Sequence, residues 1–312
     1  MMAALYGGVI GDLLGVPVEF KKRGTFQVDG VTGYGTYNQP PGTWSDDTSL
    51  TLCLIENLIE NGNMADLMTK FALYSEQGYW TPFGEMFDIG IATKDAILRF
   101  REGLSPEECG GQREYDNGNG ALMRIAPIAF VLFHHPDFRE RAAIIRNYTE
   151  VTHAHPRSIV GSIIYVELLL QLIDHISLEE ALNKIKQLFI ENYDEGHEYR
   201  EELKEYSRLF DREFFHLPEG EIRSDGYVVH SLEAAIWTLG HSHSFQEAVL
   251  KAVNLGDDTD TVGSITGTLA GIYYRDIPSG WMDAIARKQD IDVLLNRFFE
   301  FCAAKALKEG DL

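Results

Sequence analysis

Apolar residues recur with a helical period along most of this chain. Wide apolar faces predict helices at residues 46–60, 162–174, 232–239 and 292–307. The strict alternation of apolar and polar residues that marks a strand is scarce. The pattern therefore predicts an all-α fold. No low-complexity linker interrupts it, so we expect one compact orthogonal helical domain over residues 1–312.

The helical pattern is broken in four places. Residues 21–45 are rich in glycine and proline, and an irregular segment of that length in a compact domain is usually functional. Further loops are predicted at residues 76–88 and 105–118. The charged tract at residues 191–226 predicts a solvated helix followed by a turn.

Two predicted helices carry a glycine at every fourth position. The glycines are Gly7, Gly11 and Gly15 in the first helix, and Gly263, Gly267 and Gly271 in the second. Each glycine weakens a helix by about 1 kcal/mol relative to alanine. Three on one face indicate that another backbone approaches closely, although chance recurrence in a chain with 29 glycines is the alternative. We expect two central helices that pack tightly, with their ends near the site.

The charge of the chain limits its partners. A formal net charge of −21 over 312 residues disfavours binding to nucleic-acid backbones and anionic lipid. It leaves room for an anionic small ligand, because a metal ion or local positive groups can reverse the field inside a cleft.

The cysteines and the N-terminus bear on location. Cys53, Cys109 and Cys302 are far apart and form no CxxC pair, so neither a disulfide framework nor a zinc–thiolate site is expected. The apolar N-terminus lacks a leading basic residue and is interrupted by Asp12, which argues against a secretion signal. No stretch is expected to reach the roughly 18 apolar residues of a membrane span. A cytoplasmic location is the simplest expectation.

Acidic residues gather at two predicted helix starts. One is WSDDTS at residues 44–49, and the other is NLGDDTDTVGS at residues 254–264. Helix capping is the simple alternative for each, since Ser, Thr and Asp satisfy the free N–H groups there. Capping needs one acceptor and one further acid at most, however, and does not account for Asp257, Asp258 and Asp260 together.

If the two segments meet, their charges require compensation. Two carboxylates 4 Å apart repel by about 4 kcal/mol at an effective dielectric constant near 20. Hard divalent cations prefer oxygen ligands, and the hydroxyls of Ser45 and Thr261 would add to the shell. Neither segment contains histidine or cysteine, which argues against zinc. We expect two Mg²⁺ or Mn²⁺ ions. The spacing of an EF-hand and a Walker A loop are both missing from the sequence.

Three further polar stretches are candidates. Pro17 is expected to end the first helix, which leaves Glu19 on the loop side, and a plain surface acid is the alternative. DNGNGALMRIAP at residues 116–127 starts a helix whose free N–H groups suit an anion, or is simply an Asn/Gly helix start. THAHPRS at residues 152–158 places His153 before a proline and an apolar helix, where a structural histidine is the alternative.

Together these segments resemble the ADP-ribosylglycohydrolase family, which includes the dinitrogenase-reductase-activating glycohydrolase and the ADP-ribosyl-serine and ADP-ribosyl-arginine hydrolases. The segments that match, in the family's order, are GGVIGDLLGVPVEF, GTWSDDTSL, GNGALMRIAP, THAHPRS and NLGDDTDTVGSITGTLAGIYY. Each segment is weak alone, but the five in order are highly specific.

The resemblance implies an all-helical fold around two Mg²⁺ or Mn²⁺ ions. By the family pattern, the metal ligands would be Ser45, Asp46, Asp47, Asp258, Asp260 and Thr261. The catalytic residues would be Glu19, Asp46 and Asp47. ADP-ribose would bind to Asp116, Asn117, Gly118, Asn119 and His153. The chain departs from many members in having Ser45 for threonine, which keeps the hydroxyl, and Asp257 for glycine, an added acid expected beyond the direct ligands.

The implied reaction is hydrolysis at the anomeric carbon of ADP-ribose, through a transition state of oxocarbenium character. The substrate would be an ADP-ribosylated side chain or other group, with a nucleic acid only as a possible modified substrate, and the product ADP-ribose. Glu19 or a cluster aspartate would be the general acid or base, and the leaving group stays open. Two alternatives are a non-catalytic ADP-ribose-binding or structural relative, like the lens J-type crystallins, and a binuclear phosphoester hydrolase.

Overall fold

A computed structural model describes residues 1–309, which contain fifteen α-helices and no β-strand. The prediction of an all-α fold is confirmed. The helices are α1 Met2–Gly15, α2 Asp46–Ile59, α3 Met64–Gln77, α4 Ile91–Arg101, α5 Pro106–Cys109, α6 Pro127–Leu132, α7 Phe138–Glu150, α8 Pro156–Ile173, α9 Leu178–Asn192, α10 Glu198–Glu202, α11 Val228–Gly240, α12 Phe245–Asn254, α13 Thr259–Tyr273, α14 Ser279–Ala284 and α15 Lys288–Glu309. Short 3₁₀ helices lie at Val16–Val18, Gly35–Tyr37, Glu114–Asp116, Leu122–Arg124, Leu203–Phe210, Phe214–His216 and Glu219–Glu221.

Local sequence signals define many helix ends. Asn63 begins α3 with a capping box that it forms with Asp66, and Gly78 ends that helix in the left-handed conformation with φ 65°. Ser177 caps α9 by accepting a hydrogen bond from the Glu180 N–H. Each of the four helices predicted from apolar periodicity is present, as α2, α8, α11 and α15.

The glycine-rich helices α1 and α13 form the most extensive helix pair of the described chain. A β-carbon built on Gly7 would lie 2.1 Å from the carbonyl oxygen of Gly267, and one on Gly11 would lie 1.9 Å from that of Gly263. At Gly15 the same atom would lie 2.3 Å from the Cα of Asp260. The expected close approach of two backbones is therefore present, and it excludes any larger side chain.

The charged tract does not form the predicted solvated helix. Residues 191–226 hold the end of α9, the short α10 and three 3₁₀ helices. Tyr199, Leu203, Tyr206 and Leu209 from this tract are buried against the rest of the protein. The prediction was wrong because the many charges hide these apolar positions, which recur at helical spacing and anchor the tract.

The three segments predicted as loops are largely irregular. Residues 21–45 contain one 3₁₀ turn, at Gly35–Tyr37. The segment at 105–118 is more ordered than expected, since it includes α5 and the 3₁₀ turn Glu114–Asp116. Cys53, Cys109 and Cys302 are free.

By length and composition alone, α8 could cross a membrane, so the expectation that no stretch is long and apolar enough is wrong for this helix. Within the fold, 83% of α8 is buried. An apolar helix that packs in the centre of a protein has the same composition as a membrane span.

Candidate active site

The start of α2 is held by an acid from α1. The carboxylate of Asp12 accepts hydrogen bonds from the backbone N–H of Ser45 (2.9 Å) and of Thr48 (3.0 Å), and from the Thr48 hydroxyl (2.6 Å). Ser45 is the N-cap and accepts from the Asp47 N–H. The helix start is thus already capped by Asp12 and Ser45. Capping therefore does not explain Asp46 and Asp47.

The two acidic segments meet in space. The hydroxyl of Thr261, in the first turn of α13, donates to Asp47 Oδ2 at 3.2 Å. The Ser45 hydroxyl lies 3.3 Å from the same oxygen. The carboxylate of Asp46 accepts a hydrogen bond from the Gly90 N–H at 3.3 Å.

Glu19 lies among these carboxylates. Its side chain, with those of Asp258 and Asp260, places one oxygen each within 4.8 Å of the others. The α1–α13 contact brings them together, because Glu19 follows α1 by a few residues and Asp258 precedes α13. Glu19 Oε2, Asp47 Oδ1 and Asp260 Oδ2 are buried and have no hydrogen-bond partner.

The electrostatics of the cluster are unfavourable for bare carboxylates. Burial raises the pKa of Asp46, Asp47 and Asp260 well above the usual range, and neighbouring carboxylates raise it further. Burial also raises the pKa of Asp258. For Glu19, burial and then the charges of nearby aspartates raise the pKa to about 8. Such groups are stable together only with shared protons or with cations.

The donor set fits hard divalent cations. It consists of carboxylate and hydroxyl oxygens, and three of the carboxylate oxygens are buried without a partner in the protein. Oxygen-only donors with several negative charges suit Mg²⁺ or Mn²⁺ and not zinc. The residues present therefore fit the metal centre that the sequence analysis expected.

Two residues near Glu19 were missed by the sequence analysis. Burial and then the charge of Asp258 raise the pKa of Asp88, which marks it as part of the same acidic group. The Tyr37 hydroxyl interacts with both Glu19 and Asp88. The Tyr37 ring lies 5.0 Å from that of Phe87, centroid to centroid, and 6.5 Å from that of Phe20. An aromatic wall formed by Phe20, Tyr37 and Phe87 thus borders the carboxylates.

Of the turn at 116–119, Asn119 is the residue that reaches the acidic cluster. Its side-chain amide donates to Asp258 Oδ2 and to the Ser231 hydroxyl, both at 2.8 Å. Asn119 therefore orients Asp258, a predicted metal ligand. The sequence analysis expected Asn119 to contact ADP-ribose and did not foresee this contact.

The other polar side chains of the turn are also engaged within the protein. Asp116 receives two hydrogen bonds from the guanidinium of Arg113, which holds its pKa below the usual range. The Asn117 side chain accepts from the Ser158 hydroxyl and donates to the carbonyl of Glu114. The backbone N–H groups of Asp116 and Asn119 also have partners within the protein, the carbonyls of Arg113 and Gly226.

His153 lies directly behind this turn. A β-carbon built on Gly118 would lie 3.6 Å from His153 Nε2, and one on Gly120 would lie 3.0 Å from Cε1. The glycines leave room for the imidazole to approach the turn from inside. Burial, and then the positive charge of Arg124, lower the pKa of His153 to about 3, so its ring is neutral.

Asp257 is exposed and has φ 59°, a left-handed conformation that favours glycine. The backbone of Asp257 is hydrogen-bonded to the segment that follows α1. The Phe20 N–H donates to the Asp257 carbonyl at 2.7 Å, and the Asp257 N–H donates to the Lys21 carbonyl at 2.9 Å. The side chain is not among the carboxylates that converge around Glu19.

Comparison with known proteins identifies relatives along almost the whole chain. The family model described as ADP-ribosylglycohydrolase matches residues 1–307. The chain is 31% identical over 307 residues to the ADP-ribosylarginine hydrolase Tri1 of Serratia proteamaculans, covering 95% of this chain and 78% of that protein. It is 28% identical over 302 residues to the ADP-ribosyl-[dinitrogen reductase] glycohydrolase of Rhodospirillum rubrum, covering 94% and 92%.

A solved structure described as an ADP-ribosylglycohydrolase-related protein complex is similar in fold, with a TM-score of 0.79 and 29% identity over 96% of this chain and 97% of that one. These matches confirm the resemblance and the prediction of an enzyme of this class. The chain belongs to the ADP-ribosylglycohydrolase family.

Proposed function

We propose that this chain is a metal-dependent hydrolase that cleaves the glycosidic bond between ADP-ribose and its acceptor group. The observation that carries this proposal is the convergence of Glu19, Asp258 and Asp260, with buried carboxylate oxygens that no protein group satisfies. In a member of the ADP-ribosylglycohydrolase family, such a cluster supports hydrolysis better than a purely structural role.

Two divalent cations, Mg²⁺ or Mn²⁺, would be held by Ser45, Asp46, Asp47, Asp258, Asp260 and Thr261. When bound, they supply Lewis-acid polarisation of oxygen atoms and fix the orientation of the sugar. Asp12 and Asn119 keep the two ligand segments in place through their hydrogen bonds to α2 and Asp258. These supporting contacts reduce the reorganisation needed at the moment of reaction.

We assign proton transfer to the carboxylate of Glu19. Val16–Val18 forms a 3₁₀ turn before it, and the Thr36 hydroxyl holds its carbonyl at 2.8 Å. Hydrolysis breaks the bond from the anomeric carbon to the acceptor, adds the hydroxyl of water to that carbon, and returns a proton to the acceptor. Glu19 serves that proton transfer, beside the ligand aspartates Asp46 and Asp47.

ADP-ribose would lie along the turn at 116–119, which His153 supports from inside the protein. We propose that the acceptor is the guanidinium of arginine. The relative from Serratia proteamaculans is named an ADP-ribosylarginine hydrolase. The wall of Phe20, Tyr37 and Phe87 beside Asp88 is suited to a planar cation, which aromatic faces and carboxylates both attract.

The test is a panel of peptides ADP-ribosylated on arginine or on serine, offered with Mg²⁺, with Mn²⁺ and with EDTA. We expect release of intact ADP-ribose from the arginine peptide, dependent on the metal. Release of AMP or phosphate would indicate a phosphoester hydrolase, and binding without turnover a non-catalytic relative.

Glu19→Gln separates chemistry from binding. It should lower kcat by about 10²–10⁴-fold, the usual contribution of a general acid or base, and keep ADP-ribose affinity within a few fold. Glu85→Gln, at an exposed acid near the same wall, is the matched control and should be active. Wild-type turnover by Glu19→Gln would remove Glu19 from the proposed chemistry.

A further inference from the structure

A fully buried arginine lies beneath the turn at 116–119. Arg124 has no exposed surface, and its guanidinium lies 4.8 Å from the centroid of the Phe71 ring. It donates to the carbonyl of Tyr148 at 3.0 Å and to the Thr152 hydroxyl at 2.8 Å, and its Nε has no partner. None of its hydrogen bonds goes to a carboxylate. A buried charge without a counter-ion costs several kcal/mol, which a purely packing residue would avoid.

The hydroxyl of Thr152 connects Arg124 to His153. Thr152 Oγ1 lies 2.8 Å from Arg124 Nη2 and 2.8 Å from His153 Nδ1. A guanidinium can only donate, so the threonine oxygen accepts on that side. The oxygen could accept a second hydrogen bond from an Nδ1–H, but the hydroxyl hydrogen has no other acceptor among the described residues, so it is donated to Nδ1 of the imidazole. Arg124 therefore fixes the direction of the hydrogen bonds that run from it through Thr152 to His153.

This direction determines the tautomer of His153. When Nδ1 accepts a hydrogen bond in a neutral imidazole, the ring proton lies on Nε2. Nε2 is on the ring edge that faces Gly118 and Gly120, 3.6 Å and 3.4 Å from β-carbons built on those residues. The N–H donor is therefore presented to the turn.

The charges around His153 keep this donor neutral. The charged groups that face the ring are Arg124, whose charge lowers its pKa, and Asp116, whose charge raises it. Asp116 is itself paired with Arg113, and the burial of the ring outweighs it. A neutral N–H can donate to one oxygen without bringing a second positive charge into the site.

We propose that Arg124 and Thr152 are positioning residues that fix His153 in the Nε2–H tautomer, so that it donates one hydrogen bond to an oxygen of ADP-ribose bound along the turn. The last part rests on the proposed function above. The assignment gives a role to the otherwise costly burial of Arg124, and it explains why the positions that face the imidazole, Gly118 and Gly120, are glycines.

The tautomer is measured directly by long-range ¹H–¹⁵N correlation spectra of the imidazoles in the ligand-free protein, with His153→Gln used to assign the signal. We expect a single Nε2–H tautomer in the wild type. Thr152→Val keeps the shape of the side chain but removes the hydroxyl, and should give a mixture of both tautomers. Thr152→Ser restores the hydroxyl and should restore the single tautomer. A merely structural Thr152 would not separate valine from serine in this measurement.

Calorimetry with ADP-ribose tests the link to binding. Thr152→Val should weaken binding by about two- to threefold, because only the Nε2–H fraction of a mixed population can donate to the ligand, and Thr152→Ser should bind like the wild type. Adding Thr152→Val to His153→Gln should cause no further loss, because both act through the same ring. Thr152→Val is the main variant, because Arg124→Met would remove a buried group with several partners and could unfold the protein. Circular dichroism checks that each variant is folded.

A wild-type His153 in the Nδ1–H tautomer would overturn the inference, as would a Thr152→Val protein with the wild-type tautomer. Unchanged affinity in a Thr152→Val protein with mixed tautomers would overturn the link to ADP-ribose. Failure of the wild-type protein to bind ADP-ribose at all would instead contradict the proposed function, and the spectra of the ligand-free protein would still decide the tautomer.

Discussion

Replacing one carboxylate of the acidic cluster should make the metal-free protein more stable. Asp260→Asn is the best choice. Asp260 Oδ1 accepts a hydrogen bond from the Thr261 N–H, which an amide oxygen preserves, while Oδ2 is buried without a partner. The new amide group at the Oδ2 position would donate to the nearby oxygens of Glu19 or Asp258. The substitution converts repulsion into a hydrogen bond at almost constant volume.

The magnitude follows from the spacing of the cluster. Two ionised groups at 4.8 Å repel by about 3.5 kcal/mol at an effective dielectric constant of 20. Burial and the neighbouring carboxylates raise the pKa values of this group, so the cluster already shares protons at neutral pH and part of that repulsion is relieved. We expect Asp260→Asn to raise the free energy of unfolding by about 1–2 kcal/mol in EDTA, a gain of roughly half of one such pair.

With metal present the order should reverse. A bound ion at 100 times its Kd would stabilise the wild type by about 2.7 kcal/mol, and a variant that has lost a proposed metal ligand should gain little of this. The assay is thermal and urea unfolding of both proteins in EDTA and in MgCl₂ or MnCl₂, with Asp257→Asn, at an exposed neighbour, as the control. An Asp260→Asn protein that is less stable than the wild type in EDTA would refute the reasoning, and so would an unchanged stabilisation by metal.

Three further predictions concern other parts of the structure. Gly11→Ala should destabilise by about 3 kcal/mol in urea unfolding, because its β-carbon would meet the Gly263 carbonyl oxygen at 1.9 Å, whereas Gly280→Ala, with open space around it, should change stability by no more than about 1 kcal/mol. Folding lowers the pKa of His153 from 6.5 to about 3, so its contribution to stability is complete above pH 6.5 and is lost as the pH falls towards 3. At pH 5 the free energy of unfolding should be about 2 kcal/mol lower for this reason, and the His153→Gln protein should not show this decrease. Asp257→Gly should keep kcat/KM within a few fold and raise the free energy of unfolding by up to about 1 kcal/mol, because it relieves a left-handed backbone; a thirtyfold loss of kcat/KM would instead assign Asp257 a direct role.

The helices that the sequence analysis named and both acidic segments were predictable because their signals are local. Apolar periodicity gave α2, α8, α11 and α15, and the four-residue glycine period gave the contact between α1 and α13. The failure at residues 191–226 is also local in origin. Its charges dominate the composition, but four apolar side chains decide where the chain lies. The charged residues that dominate the composition of such a segment face solvent, whereas the spacing of its apolar residues predicts which face is buried.

The remainder of the site could not be predicted because it depends on distant parts of the chain. Asp88 is a single acid in a loop, and only the fold brings it near Glu19 through Tyr37. Asn119 was expected on ADP-ribose, yet its amide reaches Asp258, 139 positions away. In the sequence Asp12 only interrupts an apolar segment, and the structure shows that it caps α2. In each case the role of the side chain depends on a partner that is distant in sequence, and no local sequence pattern predicts that partner.

The glycine contact and the acidic cluster are parts of one arrangement. Carboxylates that repel would normally move apart, and shifts of the two helices that carry them would allow this. Here the backbones of α1 and α13 are already in contact, with Gly15 against the Cα of Asp260, so the end of α1 and the start of α13 are held at a fixed separation. Glu19 lies a few residues after the end of α1, and Asp260 lies in the first turn of α13. Glycines that weaken each helix by about 1 kcal/mol per position thereby keep the carboxylates close enough to share a cation. Enlarging a glycine at this contact should consequently weaken metal binding even though no ligand is changed.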